Sequence, residues 1–273
     1  MSKVVLITGC STGIGRDLAR QLTRSGYTVV ATARKVETLN NLPAALKLPL
    51  DVTRPEMVRL AVDCVIQRFG RIDVLVNNAG YTLFGAVEEL SDEQVHQMFE
   101  TNVFGVLSLI RAVVPHMRRQ GSGRIINVSS IVGKLATPVN GVYSSTKFAL
   151  EALSDALRLE LAPFGIQVVV VEPGGIKTSF AGTAQAKAQT ILSNPRSTYQ
   201  ALYQQNQHFV ASMRRQEAEP EVVSRVVLQA IAAPRPKARY LAGVAFSGKL
   251  VILLRDTVWD IVVRKMYKIQ AAA

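Results

Sequence analysis

Short runs of apolar residues alternate along the chain with longer segments in which apolar residues recur three and four positions apart. The short runs predict β-strands at Val4–Ile7, Thr28–Ala31, Leu46–Leu50, Val74–Asn77, Arg124–Val128 and Ile166–Val171. Several runs are almost entirely apolar, which is typical of parallel strands buried on both faces. The alternation predicts βαβ units, and therefore an α/β fold with a doubly wound parallel sheet and helices on both faces.

The longer segments predict amphipathic helices between the strands. Their approximate bounds are Gly13–Ser25, Pro55–Phe69, Asp92–Arg119 and Val142–Pro163. Ser91 and Gln94 form a candidate capping box at the start of the third helix. After Pro173 the pattern weakens, and residues Ala181–Thr190, rich in Ala, Gln and Thr, are typical of a mobile or lid-like segment.

Length and composition favour one domain, because 273 residues with 48% hydrophobic side chains suit a single large core better than two small ones. We expect one domain over residues 1–273, with a core in 1–180 and a lid and C-terminal segment in 181–273. The apolar run Val4–Ile7 is too short for a signal peptide, and no stretch approaches the roughly 20 apolar residues of a membrane span. Cys10 and Cys64 match neither a disulfide framework nor a metal site. We therefore expect a soluble cytoplasmic protein without a metal.

The formal charge of +12 is unevenly distributed. Residues 1–179 hold 19 basic and 15 acidic side chains, whereas residues 180–273 hold 13 and 5. A basic surface can attract nucleic acid, anionic lipid or phosphorylated cofactors, or it can simply aid solubility. No Arg- and Lys-rich helix interleaved with aromatic residues is present, so we expect no nucleic-acid partner.

A glycine-rich turn, Thr8–Gly15, leads from the first strand directly into the first helix. Gly9 and Gly13 would let the backbone turn tightly and approach phosphates, and Gly15 would let the helix pack on the strand. The N-terminus of the helix would face the negative charge of a pyrophosphate. The spacing is not GxGxxG, and an ordinary βα loop is the alternative.

Tyr143 and Lys147 lie one turn apart in a predicted helix, which puts their Cβ atoms about 5 to 6 Å apart on one face. A neighbouring ammonium favours the phenolate and lowers the pKa of a tyrosine. The phenol could then act as the acid in ketone reduction or as the base in alcohol oxidation. The alternative is that the two side chains only face solvent on an exposed helix and have no catalytic role.

Further motifs follow in a fixed order over residues 3–180. They are Asn77-Asn78-Ala79-Gly80, Asn102 in a TNVFG string, Ser130 at the end of NVSS, Tyr143-x3-Lys147 and Pro173-Gly174. Together with the TGxxxGxG turn, this order resembles the short-chain dehydrogenase/reductase family. The resemblance implies a Rossmann-type domain and an oxidoreductase that interconverts alcohols and carbonyl compounds, in a branch similar to hydroxysteroid and retinol dehydrogenases.

The resemblance also assigns the catalytic roles. Ser130 would hold the substrate oxygen, with its neighbour Ser129 as the alternative. Tyr143 would exchange the proton, and Lys147 would also hydrogen-bond the nicotinamide ribose. Asn102 would distort its helix, and its backbone carbonyl would hold a water that relays protons.

Cofactor choice depends on the end of the second strand. Family members that bind NAD carry an acid there, but Ala33 stands at that position and Arg34 follows. A guanidinium offers a forked donor to a 2′-phosphate, so we expect NADP(H), with Ser11 and Lys35 adding to the same site. The alternative is that Arg34 is only solvated.

The resemblance implies further cofactor contacts. Asp51 would accept the adenine amino group, unless it caps the helix that enters near Pro55. The complete predicted cofactor set is Gly9, Ser11, Thr12, Gly13, Ile14, Gly15, Arg34, Asp51, Val52, Asn78, Ala79, Gly80, Tyr143, Lys147, Pro173, Gly174, Ile176 and Thr178.

Residues 180–215 are expected to line an apolar substrate site. The candidates are Phe180, Ile191, Leu192, Tyr199, Leu202, Tyr203, Phe209, Val210 and Met213. We expect a small apolar carbonyl or alcohol substrate and a homodimer or homotetramer paired through the two long helices, with Phe148 and Leu157 buried by the partner.

Two other function classes stay open at this point. A non-catalytic NADP(H)-binding regulator would be marked by loss of Tyr143 or Lys147, and both residues are present. A membrane-surface protein would use Leu250–Lys268, which mixes apolar and basic residues. The more ordinary explanation is a helix or lid packed on the substrate mouth or on another subunit.

Overall fold

A computed structural model describes residues 2–214, 217–244, 252 and 255–267 of the chain. Its strands are β1 Val4–Ile7, β2 Thr28–Ala33, β3 Leu46–Pro49, β4 Val74–Asn77, β5 Gly123–Val128, β6 Ile166–Pro173 and β7 Arg239–Ala242. They form one parallel sheet in the order β3-β2-β1-β4-β5-β6-β7. The order reverses direction between β1 and β4, which confirms the predicted doubly wound sheet.

Helices cover both faces of this sheet. They are α1 Gly13–Arg24, α2 Pro55–Phe69, α3 Asp92–Phe99, α4 Gly105–Gln120, α5 Gly141–Leu161, α6 Ser179–Lys187, α7 Gln189–Leu192, α8 Gln200–Arg214, α9 Pro220–Ala232 and α10 Arg255–Met266. One apolar cluster joins the sheet to α2, α4 and α5, and a second joins it to α1 and α9. Neighbouring strand residues enter opposite clusters, as Val5 and Leu6 do, because side chains alternate along a strand.

The six predicted strands are present, with ends that differ by a few residues. β2 continues to Ala33 and β6 to Pro173, whereas β3 stops at Pro49. β7 was not predicted, since it is a four-residue edge strand whose first three residues are only half-buried. Residues after 180 therefore add a strand and a helix to the core, while the extent of the domain stays a prediction.

The predicted helix Asp92–Arg119 is divided in the structure. A π-helical turn, Glu100–Phe104, separates α3 from α4, and Asn102 lies inside it. The capping box at Ser91 and Gln94 is confirmed by both of its hydrogen bonds. Within the described residues, Asp92–Gln120 is the one helical stretch long and apolar enough to cross a membrane, and half of its apolar window is buried inside the protein.

Residues Ala181–Thr190, predicted to be mobile or lid-like, lie in and between the helices α6 and α7. Together with α8, these helices cover the carboxyl edge of the sheet. Trp259 on α10 donates from Nε1 to Ala136 O at 2.6 Å, and Tyr267, directly after α10, donates from its hydroxyl to Asn206 Oδ1 of α8 at 3.0 Å. Much of the predicted segment Leu250–Lys268 lies outside the described residues, including both of its ends.

Candidate active site

The glycine-rich turn forms a cradle at the carboxyl end of β1. Gly9 has φ +73° and Gly13 has φ +56°, a backbone region that favours glycine. A Cβ at Gly15 would collide with the carbonyl oxygen of Gly9 and lie 2.5 Å from Asn78 Nδ2. Thr12 precedes α1 without a side-chain cap, so the first N–H groups of the helix are open to a ligand. This arrangement fits the pyrophosphate of a dinucleotide.

Thr8 fixes the cradle to the neighbouring strand end, and sequence reasoning did not single it out. Its Oγ1 accepts hydrogen bonds from Asn78 N at 3.0 Å and Ala79 N at 2.9 Å. The Asn78 side chain returns hydrogen bonds to Thr8 O at 2.9 Å and Gly9 O at 3.2 Å. The partners of Thr8 lie about 70 residues away in the sequence, so no local pattern marks this residue. The sequence shows only a hydroxyl side chain directly before Gly9.

The end of β2 carries no acidic side chain. Ala33 is buried, while Arg34 is exposed. Burial raises the pKa of Tyr81, and the charge of Arg34 opposes that shift, which places the guanidinium near the loop after β4. Arg16 Nη1 donates to Ser11 O at 3.3 Å and holds the half-buried Ser11 segment in place. A cation and a serine therefore lie beside this end of the cradle.

Asp51 lies after β3 and does not cap α2. Its Oδ1 accepts hydrogen bonds from Thr53 N at 3.0 Å and Thr53 Oγ1 at 2.8 Å, within the turn that leads to the helix. The capping position of α2 is Arg54. Val52 is buried, and a Cβ at Gly105 would lie 2.8 Å from its side chain. The alternative of a helix-capping Asp51 is therefore wrong.

Tyr143 and Ser130 meet where α5 approaches the end of β5. The Ser130 hydroxyl lies close enough to the Tyr143 phenol to oppose the rise that burial causes in the pKa of the tyrosine. Ser130 Oγ also accepts from Val132 N at 3.3 Å and donates to Pro173 O at 3.4 Å. The Ser129 hydroxyl is buried without a hydrogen-bond partner beneath Gly133, so it is Ser130 that faces the tyrosine.

Lys147 lies one turn beyond Tyr143 on α5, and both side chains are buried. Its Nζ donates to Val128 O at 3.0 Å and is 5.6 Å from the centre of the Tyr143 ring. Burial lowers the pKa of Lys147 to about 8, against the charge of Glu151. The lowered tyrosine pKa that the sequence predicted is not found, because burial raises the pKa of Tyr143 well above its ordinary value.

Asn102 connects three parts of the site from the π-helical turn. Its side chain accepts a hydrogen bond from Tyr81 N at 3.0 Å and donates to Tyr81 O at 2.9 Å. It also donates to Thr146 Oγ1 at 3.1 Å, one residue before Lys147. The π-helical turn is the helix distortion that the family resemblance implied, and π-bulges are frequent at functional sites.

The segment after β6 closes the cradle from above. The Thr178 methyl group would lie 3.1 Å from a Cβ at Gly13, and Ser179 Oγ donates to Thr12 Oγ1 at 3.3 Å. Ile176 pairs with Ala218 in an isolated parallel bridge, and Pro173 is buried at the end of β6. The structure thus brings the sequence-predicted phosphate, nicotinamide and catalytic residues to one edge of the sheet.

A third apolar cluster encloses Tyr143. It contains Leu83, Val139, Leu192 and Tyr203, and the Phe180 ring centre is 5.9 Å from that of Tyr143. Ile191, Tyr199 and Leu202, which were predicted to line a substrate site, pack against this cluster, and the Met213 side chain lies outside the described part of the chain.

Side chains on and just before α8 hydrogen-bond to the loop after β4. Tyr199 OH donates to Glu88 Oε1 at 2.8 Å, and Ser197 Oγ donates to Glu89 Oε1 at 2.6 Å. Tyr203 OH donates to Glu89 Oε2 and accepts from Ala86 N at 3.0 Å. Within the described residues, no group of three or more His, Cys, Asp or Glu side chains is placed to hold a metal ion.

The sequence matches the family model described as short chain dehydrogenase over residues 3–189. A 3-ketodihydrosphingosine reductase of Bacteroides thetaiotaomicron is 36% identical over 241 residues, which cover 88% of this chain and 88% of that protein. Human 17-beta-hydroxysteroid dehydrogenase type 1 is 36% identical over 268 residues, which cover 93% of this chain and 81% of that protein.

Solved structures share the whole architecture. A short-chain dehydrogenase from Streptomyces avermitilis has a TM-score of 0.81 and 33% identity, covering 97% of this chain and 98% of its own. An actinorhodin polyketide ketoreductase variant with NADPH has a TM-score of 0.75 and 32% identity, covering 88% and 95%. A short chain dehydrogenase/reductase from Burkholderia phymatum in complex with NAD has a TM-score of 0.79 and 26% identity, covering 96% and 95%.

Proposed function

This chain belongs to the short-chain dehydrogenase family, and from that premise we propose that it is an NADP(H)-dependent oxidoreductase that interconverts an apolar alcohol and its ketone or aldehyde. The named reductase and dehydrogenase relatives make it an enzyme that acts on CH–OH groups or ketones with NAD(P). The proposal adds the phosphorylated cofactor, the apolar substrate and the residues that do the work.

The observation that carries the proposal is the approach of the Ser130 hydroxyl to the Tyr143 phenol, with Lys147 Nζ 5.6 Å from the centre of the tyrosine ring. A substrate oxygen between the two hydroxyls would accept from both. In the reducing direction, Tyr143 gives its proton to that oxygen as the carbon is reduced, and Ser130 stabilises the negative charge that develops there. In the oxidising direction, Tyr143 takes the proton back.

The reaction needs a proton, which Tyr143 carries, and a hydride, which the cofactor carries. Tyr143 holds its proton firmly in this structure, because burial raises its pKa. When bound, the cofactor supplies the hydride in reduction or accepts it in oxidation. The residues that would hold it are the Gly9–Gly15 cradle, the Asn78–Gly80 strand end, Asp51 and the segment Pro173–Thr178. Lys147 would reach its ribose, and Asn102 fixes the loop beside that lysine.

NADP(H) is proposed over NAD(H) because the end of β2 carries Arg34 and no acid for a ribose hydroxyl, and the glycine-rich turn after β1 adds Ser11. A guanidinium can donate two hydrogen bonds to the oxygens of one phosphate, whereas a ribose hydroxyl offers a single oxygen and no charge. Structural neighbours include proteins with NADPH and with NAD, so the proposal depends on these residues.

An apolar substrate is proposed because the surface beside Tyr143 is built from Leu83, Val139, Leu192 and Phe180. Two relatives are named for a ketodihydrosphingosine and a hydroxysteroid, which supports a substrate of that general character. Tyr143 is 8% exposed, so the reacting oxygen of the substrate would be held in a largely desolvated site.

The function is tested by following NADPH consumption against a panel of apolar ketones and aldehydes. We expect turnover with apolar carbonyl compounds and little with polar ones. The non-catalytic regulator is the competing proposal, and it requires NADPH binding without turnover on any member of the panel or on the corresponding alcohols with NADP. A preference for small polar carbonyls would contradict the apolar site.

We also propose a cytoplasmic location, since Cys10 and Cys64 are both free and a reducing compartment keeps thiols in that state.

A homodimer or homotetramer is proposed on the outer face of α4 and α5. A groove of about 270 Å³ lies between them, next to the half-buried Leu157, and Phe148 is half-buried as well. Leu159 is 77% exposed on α5, and the exposed Ala152 and Ala156 would let a second helix approach closely.

Ala152→Glu is expected to dissociate this assembly, because it puts one carboxylate from each copy into the same symmetric interface. Since Ala152 is exposed on α5, the substitution should leave the fold of the single chain intact. Sedimentation velocity at micromolar concentration should show dimer or tetramer for wild type and monomer for the variant. Ala201→Glu, at an exposed position of α8, is the matched control. A wild type that sediments only as monomer would contradict the proposal.

A further inference from the structure

A cluster of charged side chains lies behind Lys147, where α5 meets β6 and β7. Its members are Lys134, Glu151, Asp155, Arg158, Glu172 and Arg239. Glu151 and Glu172 are each 4% exposed, which is rare for carboxylates. The chemistry described above uses none of these side chains.

Two cations serve both buried acids. Glu151 Oε2 is 3.2 Å from Lys134 Nζ and 3.0 Å from Arg239 Nε. Glu172 Oε1 is 3.9 Å and 3.4 Å from the same two atoms. Arg239 also binds Asp155 at 2.6 Å, and Arg158 binds Asp155 from the outer side at 2.6 Å. Glu151 therefore has the closer contacts, and Glu172 is the less well compensated acid.

The two acids contact the same two cations, so their carboxyls lie close together. Glu151 Oε1 and Glu172 Oε1 are both buried and accept no hydrogen bond, although Glu172 Oε1 is within ion-pair distance of both cations. Burial and then the charge of Glu151 raise the pKa of Glu172 to about 7, against the charges of Lys134 and Arg239. A proton on Glu172 supplies the donor that the pair lacks, and two carboxyls so close do not both ionise readily in an apolar interior.

Glu151 is also the neighbour of Lys147. The two residues are one turn apart on the buried side of α5. A Cβ at Gly133 would lie 3.2 Å from Glu151 Cγ and 3.3 Å from Lys147 Cβ, so the two side chains leave the helix side by side. The Lys147 ammonium donates to the carbonyl of Val128, a neutral group, and the charge of Glu151 favours its protonated form.

Resting on the proposed function, we propose that Glu151 is a positioning residue whose charge keeps Lys147 protonated during turnover, while Glu172 holds the single proton of the carboxyl pair. Glu151 and Glu172 together then present one negative charge to the lysine. Lys134 and Arg239 hold Glu151 in place through their ion pairs with it. Without the charge of Glu151, burial alone would lower the pKa of the lysine further.

The direct test is NMR titration of Lys147 with isotopically labelled lysine and no substrate, its signal assigned by its loss in Lys147→Arg. Glu151→Gln should lower the titration midpoint of Lys147 by about one pH unit, at the lower end of the effect of an adjacent opposite charge. Glu151→Asp keeps the charge and should restore most of the shift. Glu160→Gln, at an exposed position of the same helix, should leave the midpoint unchanged. An unchanged midpoint in Glu151→Gln would overturn the proposal.

Glu172→Gln tests the shared proton and serves if Glu151→Gln does not fold. The wild-type Lys147 signal should show a second, smaller inflection near the pKa of about 7 of Glu172, and this inflection should disappear in Glu172→Gln. An inflection that persists in Glu172→Gln would overturn the assignment of the proton.

The pH dependence of kcat/KM for carbonyl reduction gives a second readout. Its alkaline limb should move to lower pH in Glu151→Gln by the same amount as the Lys147 midpoint, and return in Glu151→Asp. A structural role alone would lower activity at every pH without moving the limb. Because the NMR titration needs no substrate, it decides this proposal even if the panel shows no turnover and the proposed function fails.

Discussion

Tyr143→Phe is expected to reduce kcat for carbonyl reduction by about 10² to 10⁴-fold, the usual contribution of a general acid. The substitution removes the proton that the substrate oxygen must receive and leaves the ring packed against Phe180. The measurement is NADPH oxidation with the best substrate of the panel. The dissociation constant for NADPH should change little, since no contact of the cradle depends on the phenol.

Ser130→Ala provides the companion measurement, because it removes the second hydroxyl from the same substrate oxygen. Its kcat should fall by about 10² to 10³-fold, the usual effect of losing one such donor. Ser129→Ala is the matched control, since that hydroxyl is buried away from the tyrosine and should matter little. Near-wild-type turnover by Tyr143→Phe would refute the catalytic assignment, and so would a Ser129→Ala defect larger than that of Ser130→Ala.

The sheet was predictable because its inner strands are apolar on both faces. β1 and β4 are buried at every position, and apart from Asn77 at the end of β4 their residues are all apolar. β7 could not be recognised, since an edge strand of four residues with Arg239 and Tyr240 half-exposed has no such run. Its place in the sheet depends on pairing with β6, a contact between residues about 70 positions apart.

The candidate site was predictable as a set of motifs, but its internal contacts were not. Thr8 and Glu172 contact partners that are distant in sequence, and no local pattern marks either residue. Asn102 was assigned a helix distortion only by resemblance, because periodicity alone predicts an unbroken helix there. The direction of the Tyr143 pKa shift was wrong for a physical reason: spacing gives the distance to Lys147, and burial is set by the packing of the whole fold.

Arg34→Ala is expected to weaken NADPH binding by roughly ten- to a hundredfold and to leave NADH binding nearly unchanged. One charge-assisted hydrogen bond to a phosphate contributes about 1.5 to 3 kcal/mol, and about 1.4 kcal/mol corresponds to a tenfold change. Dissociation constants for both cofactors should be measured at one ionic strength, because phosphate contacts are screened by salt. Arg20→Ala, at an exposed position of α1, is the matched control for loss of one positive charge.

Ala33→Asp should reverse the preference, because a carboxylate at the end of β2 accepts from a ribose hydroxyl and repels a 2′-phosphate. Ala33 is 4% exposed and packs in the second apolar cluster, so the new carboxylate also loses solvation and the melting temperature should fall. Binding must therefore be measured well below the melting temperature of the variant. The quantity to compare is the ratio of the dissociation constants for NADPH and NADH, because a general loss of stability weakens the binding of both cofactors equally. Equal affinities in wild type, or an unchanged ratio in both Arg34→Ala and Ala33→Asp, would show that the end of β2 does not select the cofactor.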